Sequence, residues 1–173
     1  MLRVAAREPL VPAPERRCLT GGRPMLDRRD IERLLPHRGS FLFIDDVTWL
    51  DRDAATIVGR YDVGRAASVF ADHVPGRATW PGVLQVEAIG QAGLCLVRLA
   101  QVGIGTDGDP GGARGFALTH ILGAEFVRPV TPTGGLEVVA RVVRDGLFTI
   151  VVGQCLQHDA VCCAAAVRGI SEE

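Results

Sequence analysis

The chain has 173 residues, 47% of them hydrophobic, which is enough for one domain with a real core. Its formal net charge is −1, so no global basic charge argues for a nucleic-acid partner. All 19 basic residues are arginine, a bias from which no function follows.

Residues 1–24, "MLRVAAREPLVPAPERRCLTGGRP", mix prolines, glycines and charges of both signs. They read as a flexible N-terminal tail, ahead of a single domain over 25–173. No continuous apolar run follows the arginines, so the stretch makes a poor secretory signal, and Met25 is an alternative start. "MLDRRDIERLLPHR" predicts a short helix capped by Asp27, with Ile31, Leu34 and Leu35 as its apolar stripe and Pro36 ending it. "SFLFIDDVTWL" and "ATIVGRYDV" read as strands of a hairpin turning at "DRDA". "FADHVPGRATWPG" reads as an irregular loop.

"WPGVLQVEAIGQAGLCLVRLA", Trp80 to Ala100, is apolar nearly all round and predicts a long helix buried on every side, with Pro81 in its first turn. Its glutamate, two glutamines and glycines interrupt any membrane-length apolar run. "FALTHILGAEFVRPV", "GLEVVARVVRD", "LFTIVVGQCLQHD" and "VCCAAAVRGI" then read as four strands joined by turns at "TPTGG", "RDG" and "HDA". Hairpin, buried helix and four strands predict an α+β fold, an antiparallel sheet wrapped around one central helix.

Within that helix Glu87 is the conspicuous residue. A buried carboxylate is costly unless paired or functional; a salt bridge or an outlet to solvent explains it as well as chemistry does. The helix N-terminus favours its anion and burial its neutral form, opposed influences that suit a proton-exchanging group. His73 lies fourteen positions earlier in the Pro/Gly-rich loop, where it is either a loop histidine bonded to backbone or the second member of an acid–base pair. Free N–H groups at Gly82 and Val83 could polarise a carbonyl. The three together suit proton abstraction next to a thioester or ketone carbonyl.

Other signals are weaker. "GIGTDG", Gly103 to Gly108, has the glycine spacing of a dinucleotide loop but follows a helix and opens none. Cys155, His158, Cys162 and Cys163 have the wrong spacing for the common zinc frameworks and read as packing, with no metal site. His37 and His120 read as structural. Ser40, Ser68 and Ser171 have no evident activating base. Five cysteines without a regular framework suit a reducing, cytoplasmic setting.

Three stretches resemble one family. "LLPHRGSFLFIDDV", "HVPGRATWPGVLQVEAIGQAG" and "AEFVRPVTPTGGLEV" are similar to motifs of the FabZ-type 3-hydroxyacyl-[acyl-carrier-protein] dehydratases, over about residues 26–169. The resemblance implies a hot-dog fold and dehydration of a (3R)-3-hydroxyacyl thioester to the trans-2-enoyl product and water. It implies His73 as base and Glu87 as acid, directly or through water, with the Gly82 N–H on the thioester oxygen. Trp80, Val74 and Gln91 would line or position the site, although a structural amide at Gln91 fits equally. It implies no metal or organic cofactor, the substrate riding on the phosphopantetheine of acyl carrier protein. It also implies a homodimer with active sites shared between protomers, sometimes a trimer of dimers.

The chain departs from the family at Val74, Ala78, Trp80, Ser40 and Asp46, which points to a short or unusual acyl chain, as in secondary metabolism. Two alternatives remain open: a hot-dog acyl thioesterase, and a non-catalytic acyl-binding subunit of the same fold.

Overall fold

The computed structural model describes residues 6–16, 23–102 and 116–171. The glycine-rich stretch with "GIGTDG" and Cys18 lie outside the described residues. Helices are α1 (Ala13–Arg16), α2 (Arg28–Leu34), α3 (Ala67–His73) and α4 (Gly82–Val102). Strands are β1 (Asp46–Asp51), β2 (Thr56–Asp62), β3 (Phe116–Phe126), β4 (Gly135–Asp145), β5 (Phe148–Gln157) and β6 (Ala160–Ser171). They form one antiparallel sheet in the order β1-β2-β4-β5-β6-β3, with α4 packed mainly on β4, β5 and β6. The expected helix-and-sheet architecture is present.

Local chemistry sets the elements. Asp27 accepts from the backbone of Arg29 and Asp30, and Asp30 reciprocates at the Asp27 N–H, a closed capping box. Ile31 and Leu35 are buried, as the stripe predicted. The β1–β2 turn is held by the Ala54 N–H donating to Asp51 at 2.8 Å. The β5–β6 turn is the two-residue loop His158–Asp159, both at positive φ (53° and 61°), the geometry that matches strand twist. His158 is therefore a turn residue.

The helix meets the sheet at van der Waals contact. A Cβ at Gly93 would lie 2.4 Å from Val151 Cγ2, and one at Gly153 2.6 Å from Ile89 Cγ2. By length and composition Gly82–Gln101 equals a membrane-crossing helix, but 72% of its most apolar window is buried inside the protein.

Two expectations are revised. Residues 70–73, read as the start of the loop, belong to α3, because Phe70 and Ala66 find burial against the core and Asp62 caps the preceding turn by accepting from the Gly64 N–H. Residues 41–45, read as strand, stay outside the sheet. The Phe43 N–H donates to the Gln91 side chain at 2.8 Å instead of to a neighbouring strand.

Residues 6–16, within the stretch expected to be a flexible tail, lie on the outer face of the sheet. β5 is buried almost throughout, so its outer face needs cover as well as the face on α4. Val11 joins Val58, Val139, Leu156 and Val161 in an outer cluster, a burial worth about 1.5–3 kcal/mol for one such side chain. Gln154 accepts from the Leu10 N–H and donates to the Glu8 carbonyl. Arg16, its side chain 1% exposed, donates to Glu137 at 3.0 Å, to Asp159 and to the Val11 carbonyl. Replacing Arg16 with Ala is expected to lower stability by about 1.5–3 kcal/mol, the range for hydrogen bonds to charged groups. Urea unfolding of the full chain measures it.

Candidate active site

The first turn of α4 borders a cleft of about 590 Å³ lined by His73, Val74, Arg77, Trp80, Val83 and Phe126, among others. His73 ends α3 and is exposed. Its Nδ1 lies 2.8 Å from the Thr79 carbonyl. A carbonyl only accepts, so in the neutral ring Nδ1 carries the hydrogen and Nε2 presents a lone pair. Val74 is 39% exposed on the cleft wall.

Trp80 is 2% exposed. It stacks on Tyr61 at 5.6 Å and meets Phe43 edge-on at 5.3 Å. Most of its bulk therefore lies in the core, and it is one of the residues that line the cleft. Asp46, another departure from the family, forms a bidentate pair with Arg60 on the hairpin.

Gly82 opens α4, and a Cβ there would lie 2.7 Å from the Phe126 ring. The N–H groups of Gly82 and Val83 belong to the first turn, which has no intrahelical acceptors for them.

Glu87 sits one turn beyond Val83. From Val83 to Leu99 the helix is buried except at Val83, Leu84, Glu87 and Gly90. These positions fall on one stripe. The glutamate thus occupies the single open face of an otherwise enclosed helix, with its side chain 27% exposed.

One group hydrogen-bonds one of its oxygens and a second lies close to it. Gln91, 1% exposed, donates from Nε2 to Glu87 Oε1 at 2.9 Å and to the Phe41 carbonyl at 2.9 Å, while its Oε1 takes the Phe43 N–H. His37 Nε2 lies 3.5 Å from the same Glu87 oxygen. Burial pushes the His37 pKa down, against the opposing pull of Glu87 and together with Arg38. His37 was expected to be structural; its place beside Glu87, fifty residues away, carries no local signal in the sequence.

Within one chain, among the described residues, no hydrogen bond or ion pair joins His73 to Glu87. The cysteines lie elsewhere. Cys155 and Cys163 face each other across β5 and β6, both buried. Burial pushes the Cys163 thiol up to about 12 and that of Cys155 well above its ordinary range. Such thiols stay protonated and make poor nucleophiles or ligands. Among the described residues no group of three or more His, Cys, Asp or Glu side chains is placed to hold a metal ion.

Replacing Gln91 with Leu leaves the buried Phe43 N–H without its acceptor. The expected cost is about 1–3 kcal/mol, read as a lower urea midpoint with an unchanged slope.

Known proteins bear on this geometry. A family model described as a FabA-like domain matches residues 35–165. A FabZ 3-hydroxyacyl-[acyl-carrier-protein] dehydratase of Xanthomonas oryzae is 35% identical over 148 residues, covering 82% of this chain and 93% of the relative. One from Campylobacter concisus is 31% identical, covering 84% and 97%. Among solved structures, a dehydratase heterocomplex from Xenorhabdus doucetiae superposes with TM-score 0.57 at 16% identity, covering 83% of this chain and 91% of its own. A mutant thioesterase from Pseudomonas aeruginosa gives 0.56 at 15%, covering 84% and 94%. At such identities the structures establish the hot-dog fold alone, and the sequence relatives decide the family. A helix enclosed on all but one stripe, with a glutamate on that stripe, is thus found in a chain that belongs to the FabA-like family, among its FabZ-type 3-hydroxyacyl-[acyl-carrier-protein] dehydratases.

Proposed function

We propose that the chain dehydrates a 3-hydroxyacyl thioester carried on acyl carrier protein to the trans-2-enoyl thioester and water, in fatty acid synthesis. Glu87 on the one open stripe of α4 is the observation that carries the reading, alongside the family. His73 Nε2 takes a proton from C2, next to the thioester carbonyl. The carbonyl oxygen gains negative charge and accepts from the Gly82 and Val83 N–H groups, where oriented donors act most strongly. The C3–O bond breaks as Glu87 protonates the leaving hydroxyl, directly or through a water, and the C2–C3 double bond forms. His73 ends protonated and Glu87 ionised, and exchange with solvent restores both. The reaction so written uses no metal or organic cofactor.

The site is shared between two copies of the chain, His73 of one facing Glu87 of the other. Three features support this. Among the described residues, no hydrogen bond or ion pair joins His73 and Glu87 of one chain. β3 is a sheet edge with unpaired backbone groups, which a second strand satisfies. That edge exposes Leu118 (49%), Ile121 (57%), Leu122 and Phe126, an apolar surface unusual for a lone chain. Arg77 and Arg128 at the cleft suit an acidic carrier protein.

Mass spectrometry of a 3-hydroxybutyryl thioester on acyl carrier protein tests the reaction. Wild type is expected to interconvert it with the enoyl form. His73→Ala and Glu87→Gln each lose roughly 10²–10⁴-fold, the usual worth of a positioned acid or base. Free acid released in place of enoyl product assigns the chain to thioester hydrolysis instead. Ile121→Glu is expected to give monomers by light scattering and to lose turnover with the dimer. A fully active monomer contradicts the shared site.

A further inference from the structure

We propose that His37 is a positioning residue for Glu87: with Gln91 it holds Glu87 Oε1, leaving Oε2 to carry the proton to the leaving hydroxyl. The inference rests on the dehydratase reading and adds to it a residue with a defined task.

The segment carrying His37 is fastened to the central helix. Gln91 bonds the backbone at both Phe41 and Phe43 and the Glu87 carboxylate in one span. The His37 ring stacks at 26° on Phe41, centroids 6.2 Å apart. This sets Nε2 at 3.5 Å from Glu87 Oε1. Such contacts are often long before substrate binds and tighten afterwards.

The proton on His37 can be placed. A carboxylate only accepts, so the nitrogen facing it carries the hydrogen. His37 Nδ1 is buried and, among the described residues, has no partner. A buried N–H left without an acceptor is rarer than an unused acceptor, so Nδ1 is the bare nitrogen and Nε2–H points at Glu87.

The charge state matters equally. The charged groups acting on His37 are Glu87 from α4 and its neighbour Arg38. Burial outweighs Glu87 and keeps the ring neutral at neutral pH. An imidazolium there would pair with Glu87 and lock it as a carboxylate, unable to deliver a proton. A neutral N–H orients the group and still lets it cycle. Gln91 bonds Oε1 and His37 lies nearest the same oxygen, so Oε2 is the oxygen left for the substrate.

The test compares His37→Phe and His37→Gln in the full chain, with folding checked by circular dichroism. Phe keeps the ring stacked on Phe41 but has no donor; Gln keeps an N–H at similar reach. We expect kcat to fall about 10²-fold in His37→Phe, the scale of a misplaced catalytic group, with KM little changed, and Gln to restore most of it. Wild-type kcat in His37→Phe, or an equal loss in both variants, overturns the proposal. NMR titration of the His37 ring, assigned by its absence from His37→Gln, gives a readout independent of turnover. Its midpoint is expected below the ordinary histidine range, and lower still in Glu87→Gln, because the carboxylate that raises it is gone. An unmoved midpoint in Glu87→Gln also overturns the proposal. Should wild type show no dehydration, the functional reading fails by itself, and the titration alone decides whether His37 engages Glu87.

Discussion

The close seating of one apolar helix in one sheet is the constraint on which the rest depends. Gly93 and Gly153 bring α4 and the strands to contact that no side chain there would permit. Burial of Ala88, Ile89, Ala92 and Cys95 then leaves α4 only one stripe that reaches outward. A polar side chain on the helix is best accommodated on that stripe or bonded inside. Glu87 takes the first course and Gln91 the second. The carboxylate is held by the packing that would otherwise exclude it.

The same sheet explains the N-terminal segment. Strands apolar on both faces cannot rest against one helix alone. Val11 and the paired guanidinium of Arg16 close the second face. The segment is thereby tied to the elements that support α4 from the other side. The third unsatisfied surface is the β3 edge, with its row of apolar side chains. On our reading a second copy covers it, and the same contact completes the site.

Much of this was legible in the sequence because it is local. The cap at Asp27, the turn residues at 158–159 and the largely apolar run of α4 are each short-range patterns, and they gave the element order. The motif around His73 and Glu87 pointed to the chemistry through resemblance. What escaped depends on distant partners. Phe43 leaves the sheet because Gln91, 48 residues on, takes its N–H. Helix α3 has no strong periodic signal and forms where Phe70 meets the core. His37 lies beside Glu87, and no periodicity links positions 37 and 87. The order in residues 6–16 answers a demand made by β5, which their own prolines and charges do not announce.

The central claim is that two chains build each site, one giving the base and the other the acid. Subunit mixing tests it most directly. Inactive His73→Ala protein and inactive Glu87→Gln protein are unfolded together, refolded as a mixture and assayed on the carrier-bound 3-hydroxyacyl thioester. If sites are shared across a two-fold dimer, the mixture regains about a quarter of wild-type activity, because half the dimers are mixed and each holds one intact site of two. If both residues of a site come from one chain, no mixed dimer contains an intact site. A mixture as inactive as its components, with mixed dimers shown to have formed, would contradict the account.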